Sequence, residues 1–199
     1  MASSKEQGLE KIPAPLFFYK NPYPDSPYLY KELSPDIDYL KIGSFTSRYP
    51  RLAEAEEFYQ SIEGKLKKPH LIVDLRENGG GGDRNSDIIW KLLKKYAKKN
   101  KIWVLINGNT ASNAEHFTLR LKEYDHVHTL GDRTKGALTY EIQPKDYHTL
   151  SSSGFILVLP SKQHKKYLPY ETIGIKPDII LNENKPWIPM VSEYIELNK

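Results

Sequence analysis

The segment Lys101–Glu115, KIWVLINGNTASNAE, decides the fold predicted for this chain. Its residues Ile102–Asn107 are apolar except for the last and are rich in β-branched and aromatic types, which is typical of a buried parallel strand. The tripeptide Gly-Asn-Thr interrupts this pattern, and helical spacing of the apolar residues resumes over Ala111–Leu121. Ser112 is therefore predicted to lie at a corner where a strand gives way to a helix.

Two interpretations of Ser112 follow from this corner. A hydroxyl at a helix N-terminus lies beside free backbone N–H groups that stabilise a developing negative charge, which is a suitable geometry for a nucleophile. The same residues, Ser112-Asn113-Ala114-Glu115, also spell a capping box, with Ser112 as the N-cap and Glu115 reaching back. This segment alone favours the cap, and both interpretations stay open here.

The alternation of strand and helix also extends upstream of this segment. Strands are predicted at Ile37–Phe45 and His70–Leu75, and amphipathic helices at Arg51–Leu66 and Asp83–Lys99. This order predicts an α/β fold with a largely parallel sheet and right-handed crossovers.

The pattern changes after Glu123. Short β-like runs are expected to form hairpins appended to the sheet, at Val127–Leu130, Ala137–Ile142 and Phe155–Pro160. A final helix is expected near Val191–Leu197. Before the first predicted strand, residues 1–36 alternate Pro and Tyr without a clear period, and they are interpreted as an extended lead-in or linker to a core at 37–199.

A run of four glycines, Gly79–Gly82, follows the strand that contains Asp74. Glycines between a strand and a helix let backbone amides approach a ligand, as in an oxyanion hole or a phosphate cradle. The phosphate cradle is disfavoured because the chain has neither GxxxxGK[ST] nor GxGxxG in the proper context. A plain flexible turn is the other interpretation. The glycine run lies one strand–helix unit before Ser112. This position favours a functional role over a plain turn, because neighbouring parallel strands end at the same edge of the sheet.

Composition excludes several classes of protein. The 199 residues suit one domain, or one domain with a small appendage, and a net charge of +4 without a basic, aromatic-rich stripe argues against a nucleic-acid partner. No run reaches membrane-spanning length, and the start MASSKEQGLEKIPAP lacks the apolar region of a signal peptide. The absence of cysteine excludes disulfides and cysteine nucleophiles. No residues have metal-ligand spacing, so neither a metal nor another cofactor is expected.

Three motifs resemble the tail-specific, or C-terminal processing, serine protease family. They are LIVDLRENGGG from Leu71, VLINGNTASNAE from Val104 and GDRTKGA from Gly131, and the resemblance covers roughly residues 37 to 182. It implies the ClpP/crotonase-like ββα superhelix fold and peptide hydrolysis. It also implies that Ser112 is the nucleophile, that Gly80 or Gly81 supplies one oxyanion donor, and that the backbone N–H of Asn113 supplies the other.

Within this family the chain resembles the tricorn-like branch. The tail-specific branch uses a Ser-Lys dyad, and the position of its lysine is Ala137 here; Lys135, two residues earlier, has the register of a surface residue. The tricorn-like branch pairs the serine with a histidine and an orienting glutamate roughly sixty residues later. Glu171 lies 59 residues after Ser112, just before Gly174-Ile175-Lys176-Pro177-Asp178, and fits that role; without the motif it would be interpreted as an exposed loop carboxylate.

The histidine base of that branch has no counterpart in this sequence. It lies upstream of the first core strand in the family, whereas no histidine precedes His70 here. The five histidines after Ser112 are interpreted as surface or packing residues, with His164 as the reserve candidate because it is closest in sequence to Glu171; the five are His116, His126, His128, His148 and His164. The base is therefore expected from outside this chain, which is either the catalytic core of a longer protease or a natural member that has lost catalysis.

The sequence thus predicts a serine-type endopeptidase core that acts on peptides or unfolded proteins, with Ser112, Glu171, Gly80, Gly81 and Asn113 at its site. A catalytically inactive ligand- or peptide-binding module is the alternative, because the interphotoreceptor retinoid-binding proteins look similar in these motifs. A crotonase-type acyl-thioester enzyme is a further rival, which would not need Ser112. Family members are often extracytoplasmic, but the sequence leaves compartment and oligomeric state open.

Overall fold

Ten strands and four helices make up the part of the chain that the structure describes. The computed structural model describes residues 23, 25, 27–151, 153–182 and 184–198. The strands are β1 (Tyr28–Ser34), β2 (Ile37–Ile42), β3 (His70–Asp74), β4 (Lys101–Ile106), β5 (Val127–Gly131), β6 (Tyr140–Glu141), β7 (Tyr147–Thr149), β8 (Ile156–Val158), β9 (Lys162–Gln163) and β10 (Ile179–Ile180). The helices are α1 (Arg51–Ile62), α2 (Asp83–Tyr96), α3 (Asn113–Leu121) and α4 (Trp187–Leu197), with 3₁₀ turns at Pro144–Asp146 and Lys165–Tyr170.

The central sheet has the order β1-β2-β3-β4-β5-β10. All of its neighbouring pairs are parallel except β1 and β2, which are antiparallel. The prediction of an α/β fold with a largely parallel sheet is therefore confirmed. Because α1, α2 and α3 each connect two neighbouring parallel strands, the loops after β3, β4 and β5 all lie at one edge of the sheet.

Apolar side chains alternate between the two faces of the sheet, and each face is covered by helices. Along β4, Ile102, Val104 and Ile106 pack with α1, α2 and α3, whereas Trp103 and Leu105 pack with α4 on the other face. This alternation follows from the two-residue period of a strand. Both faces are buried, which explains why these strands read as nearly continuous apolar runs.

Several predicted boundaries differ from the structure. Helix α1 ends at Ile62, before Gly64, which has a positive φ, and α4 begins at Trp187, four residues earlier than expected. The run at Val127 was predicted to form a hairpin, but β5 is an internal parallel strand paired with β4. Hydrophobic pattern alone does not reveal which neighbour a short strand pairs with.

The predicted hairpins form, but they do not extend the central sheet. Strands β6 and β9 make one antiparallel pair, and β7 and β8 make a second. Upstream, β1 belongs to the central sheet, so the sheet begins within the stretch interpreted as a lead-in. Residues 1–22 of that stretch lie outside the described residues. No helix within the described ranges is long and apolar enough to cross a membrane.

A buried ion pair holds the loop after β3. The Arg76 guanidinium donates through Nε to Asp74 Oδ1 at 2.9 Å and through Nη2 to Oδ2 at 2.6 Å, and the Tyr39 hydroxyl donates to Oδ2 at 2.9 Å. Both charged side chains are almost completely buried, and the guanidinium lies over the ring of Trp187 in α4. The pair therefore connects the sheet edge that carries the site to the helix on the opposite face.

Replacing Asp74 by Ala is expected to lower the free energy of unfolding by about 3–5 kcal/mol, because it leaves Arg76 buried without its carboxylate. Urea unfolding followed by circular dichroism measures the change. The matched control is Asp87→Ala, which removes an exposed partner of Arg120 and should cost less than about 1 kcal/mol. Equal losses in the two variants would contradict the structural role of the buried pair.

Candidate active site

Ser112 lies at a strained corner between β4 and α3. Its φ is +54° and its ψ is −124°, a conformation that residues other than glycine rarely adopt and that costs on the order of 1–3 kcal/mol. The residue is half-buried, so the corner is reachable from solvent. Strained strand-to-helix turns of this kind present a hydroxyl beside the helix N-terminus, as in nucleophile elbows.

The Glu115 carboxylate holds this corner and joins it to a second loop. It accepts a hydrogen bond from the Ser112 backbone N–H at 2.9 Å, which is the capping contact expected of this residue. It also accepts from the Thr134 hydroxyl at 2.6 Å and from the N–H groups of Gly136 and Ala137 at 2.8 and 3.0 Å. The side chain is fully buried. Capping therefore coexists with a possible nucleophile role, and Glu115 ties the serine motif to the GDRTKGA motif.

The glycine turn packs directly against the serine. A Cβ on Gly80 would lie 2.9 Å from Ser112 Cβ and from the Asn113 backbone nitrogen, and 2.8 Å from the Ala111 carbonyl oxygen. No side chain fits there, and the φ of +93° at Gly80 also requires glycine. The predicted proximity of the glycine turn and Ser112 is thus present in the structure.

Two backbone N–H groups at this contact are candidate oxyanion donors. The Gly80 N–H is already bonded to the Asn78 side chain at 2.9 Å. Among the described residues, no hydrogen-bond acceptor is recorded for the N–H of Gly81 or of Asn113. Gly81 is exposed, whereas Asn113 is buried with its side chain anchored to Ser86 of α2. The two sequence candidates Gly80 and Gly81 therefore differ in the availability of their N–H groups.

Glu171 lies at the end of the 3₁₀ turn Lys165–Tyr170. Its Oε2 accepts hydrogen bonds from the backbone N–H groups of Leu138 and Thr139, at 3.2 and 2.8 Å. The residue is half-buried and holds the two residues that directly precede β6, just after the Glu115-bound loop. It is therefore a carboxylate held by two backbone N–H groups, and it is not a freely solvated loop residue.

None of the six histidines is hydrogen bonded to Ser112, and all six fall within the described residues. His70 is buried at the start of β3, where its Nδ1 accepts from the Trp103 indole, at the opposite end of the strand from the glycine turn. His128 stacks on the other side of Trp103, and His126 and His148 lie on exposed or half-exposed segments. Lys135 is exposed, in agreement with its interpretation as a surface residue.

A histidine pair that the sequence did not indicate lies beside Leu138, one of the two residues that Glu171 holds. His116 of α3 contacts the Leu138 carbonyl through Nε2 at 2.6 Å, and its ring stacks on Tyr167 with centroids 4.2 Å apart. Its ring centroid is 5.6 Å from that of His164, which itself pairs with Glu141 at 3.1 Å. His164, the reserve base from the sequence, is therefore paired with Glu141. Only the fold reveals this cluster, because its members are far apart in the sequence.

Burial lowers the pKa of His116, and the neighbouring His164 lowers it further. Because the pKa of His116 is lower in the folded protein than in the unfolded chain, the unfolded chain binds a proton on this imidazole at a higher pH. The free energy of unfolding should therefore fall as the pH drops below about 6.5. His116→Gln retains a donor for the Leu138 carbonyl but cannot titrate, and we expect a weaker pH dependence for it. Urea unfolding at pH 7.5 and at lower pH measures this; equal pH dependence in both proteins would contradict the assignment.

Comparison with known proteins finds similarity in sequence to one peptidase family and similarity in fold to several solved structures. The model of peptidase family S41 matches residues 84–181. A lipoprotein from Streptococcus agalactiae is similar in structure, with a TM-score of 0.60 and 18% identity over 86% of this chain and 70% of that one. The tricorn protease gives a TM-score of 0.60 and 22% identity over 82% of this chain and 18% of its own.

The photosystem II D1 C-terminal processing protease is also similar in structure. Its TM-score is 0.54 and its identity 19%, over 79% of this chain and 49% of that one. The chain thus spans about half the length of this protease and under a fifth of tricorn protease. No curated protein matches the sequence significantly. The family model covers just under half of this chain and the solved structures share its fold at under 25% identity, so the chain is similar to the peptidases of family S41.

Proposed function

We propose that this chain is the core of a serine endopeptidase that cleaves peptide bonds by acyl transfer. Ser112 attacks the scissile carbonyl, and the carbonyl oxygen becomes an oxyanion that accepts hydrogen bonds from the N–H groups of Gly81 and Asn113. The intermediate collapses with cleavage of the C–N bond, and the departing amine takes the proton that the base removed from Ser112. Water, deprotonated by the same base, then hydrolyses the acyl-enzyme and restores the Ser112 hydroxyl. No cofactor takes part in this proposal.

One observation carries the proposal: Ser112 lies at a strained corner that packs against a glycine turn in which the Gly81 N–H has no recorded acceptor among the described residues. The Gly80 contact with Ser112 Cβ and the Asn113 nitrogen brings both donor-bearing segments to the same point. A simple helix cap requires neither the positive φ of Ser112 nor this close glycine approach. Preorganised donors of this kind typically contribute a factor of about 10²–10³ to the rate.

The base in this proposal is a histidine from outside the chain. A serine hydroxyl needs a base within hydrogen-bond reach, and none of the six histidines here is bonded to it. Glu171 is proposed to orient the incoming imidazole through Oε1, because both of its recorded backbone contacts, with Leu138 and Thr139, are made by Oε2. The substrates are proposed to be peptides or unfolded proteins, as the family implies.

A non-catalytic ligand- or peptide-binding module is the second candidate. The observation that favours it is that, among the described residues, no hydrogen bond is recorded between the Ser112 hydroxyl and any histidine, lysine or carboxylate side chain. An accessible glycine turn with an unused N–H would bind a carbonyl or carboxylate without cleaving it. The two candidates differ in whether adding a base produces turnover.

The first test is hydrolysis of casein by this chain in the absence and presence of free imidazole, which can stand in for a missing histidine. We expect almost no cleavage without imidazole and cleavage that rises with imidazole concentration, because the oxyanion donors are already in place. Mass spectrometry identifies the products.

Ser112→Ala should abolish the imidazole-dependent cleavage. The control is Ser192→Ala, which removes a hydroxyl from α4 on the far face and should leave cleavage unchanged. Cleavage that persists in Ser112→Ala would exclude Ser112 as the nucleophile. Tight binding of peptides without any turnover would support the binding module instead.

Glu171→Gln is expected to lower the imidazole-dependent rate by about tenfold or more, because an amide orients a cationic imidazole poorly. The change keeps the size of the side chain and an oxygen that can accept from the N–H groups of Leu138 and Thr139. Glu141→Gln, which removes a carboxylate paired with His164 and Lys162, serves as the matched control and should have little effect. Equal rates in wild type and Glu171→Gln would remove Glu171 from the mechanism.

A further inference from the structure

Asn78 is a fully buried polar residue whose contacts converge on the glycine turn. Its Oδ1 accepts from the Gly80 N–H at 2.9 Å, and its Nδ2 donates to the Ile42 carbonyl at 2.9 Å. Its own carbonyl accepts from the Ala111 N–H at 2.9 Å. One residue therefore connects β2, the glycine turn and the residue before Ser112.

The Asn78 side chain determines which glycine N–H is available. It occupies the N–H of Gly80, so that group is not free to bind a substrate oxygen. On either side of Gly81, Phe45 fixes the backbone: its N–H donates to the Gly80 carbonyl at 3.0 Å, and its carbonyl accepts from the Gly82 N–H at 2.8 Å. The peptide of Gly81 is thus held between fixed neighbours, and its N–H is the one without a recorded acceptor in the described part of the chain.

The Asn78 backbone also sets the position of the second donor. Because Ala111 is bonded to the Asn78 carbonyl, the corner that begins at Ala111 moves with the glycine turn. Gly80 packs against the Ala111 carbonyl, Ser112 Cβ and the Asn113 nitrogen, which leaves no room for a shift of one segment relative to the other. The Gly81 and Asn113 N–H groups therefore keep a fixed relationship.

We propose that Asn78 is a positioning residue that reserves the Gly80 N–H and thereby leaves Gly81 as the donor in the oxyanion hole. Asn78 acts through the turn and does not touch the substrate. The consequence for catalysis rests on the proposed peptidase function, whereas the choice of glycine is a property of the folded chain.

The test combines amide hydrogen exchange, measured by NMR, with the imidazole-dependent hydrolysis of casein. In the wild type we expect the Gly80 amide to be protected and the Gly81 amide to exchange rapidly. In Asn78→Ala, Gly80 exchange should rise by at least about tenfold, and kcat should fall with little change in KM.

Asn78→Asp separates positioning from a general structural role. It keeps the acceptor for Gly80 but loses the donor to Ile42, so we expect Gly80 to stay protected. If Asn78→Ala fails to fold, the exchange of the Gly80 and Gly81 amides is measured in Asn78→Asp instead. Asn109→Ala, which removes an exposed amide bonded to Glu77 in the neighbouring loop, is the control and should change neither glycine.

Protection of Gly81 equal to that of Gly80 in the wild type would overturn the proposal, as would loss of Gly80 protection in Asn78→Asp to the same extent as in Asn78→Ala. If the wild type shows no hydrolysis with imidazole, the peptidase function fails, and the exchange pattern of the two glycines still decides the role of Asn78.

Discussion

The Glu115 carboxylate is the contact on which the candidate site depends. It is completely buried, it has four hydrogen-bond donors around it, and these donors come from two loops at the ends of different strands. A buried carboxylate is costly unless its oxygens are hydrogen bonded, so the loops after β4 and β5 are held together by the need to satisfy it. Ser112 is therefore held by Glu115, which lies one turn further along its own helix. Glu115 is in turn fixed by the loop that begins at Thr134.

The same principle joins the remaining loops at this edge. Exposed Glu77 accepts from the side chains of Asn107 and Asn109, and the Thr110 hydroxyl donates to the Leu75 carbonyl at 3.0 Å. With Asn78, these contacts connect the loop after β3 to the loop after β4. Polar networks of this kind give a site rigidity that an apolar core cannot, because each bond fixes direction as well as distance. The ion pair of Asp74 and Arg76 anchors the network to the opposite face of the sheet.

Much of this arrangement could be predicted from the sequence, because it depends on local pattern. The apolar run before Asn107 and the glycines after Asp74 indicated parallel strands that end at one edge, and the structure confirms this. The motif around Ser112 suggested both a cap and a nucleophile, and Glu115 performs the capping part. The role of Asp74 with Arg76, and of Glu115 with Thr134, could not be predicted, because these contacts depend on which side chains are brought together when the loops pack.

Other features were missed for the same physical reason. Pairing of a two- or three-residue strand is decided by its neighbours, so the hairpins were expected on the central sheet although they pair with each other. The cluster of His116, His164 and Tyr167 brings together α3 and a 3₁₀ turn that are far apart in the sequence. The difference between Gly80 and Gly81 depends on a single side-chain acceptor, and composition or spacing does not reveal such a contact.

In the proposed mechanism, the nucleophile and the oxyanion donors are assembled within this chain while the base is supplied from outside. The most direct measurement is reaction of the chain with a fluorophosphonate, with the modified residue identified by mass spectrometry and the rate followed as imidazole is added. We expect a single adduct on Ser112 that forms slowly without imidazole and faster as imidazole is added. An unmodified Ser112, or modification spread over other serines at rates that do not depend on imidazole, would contradict it.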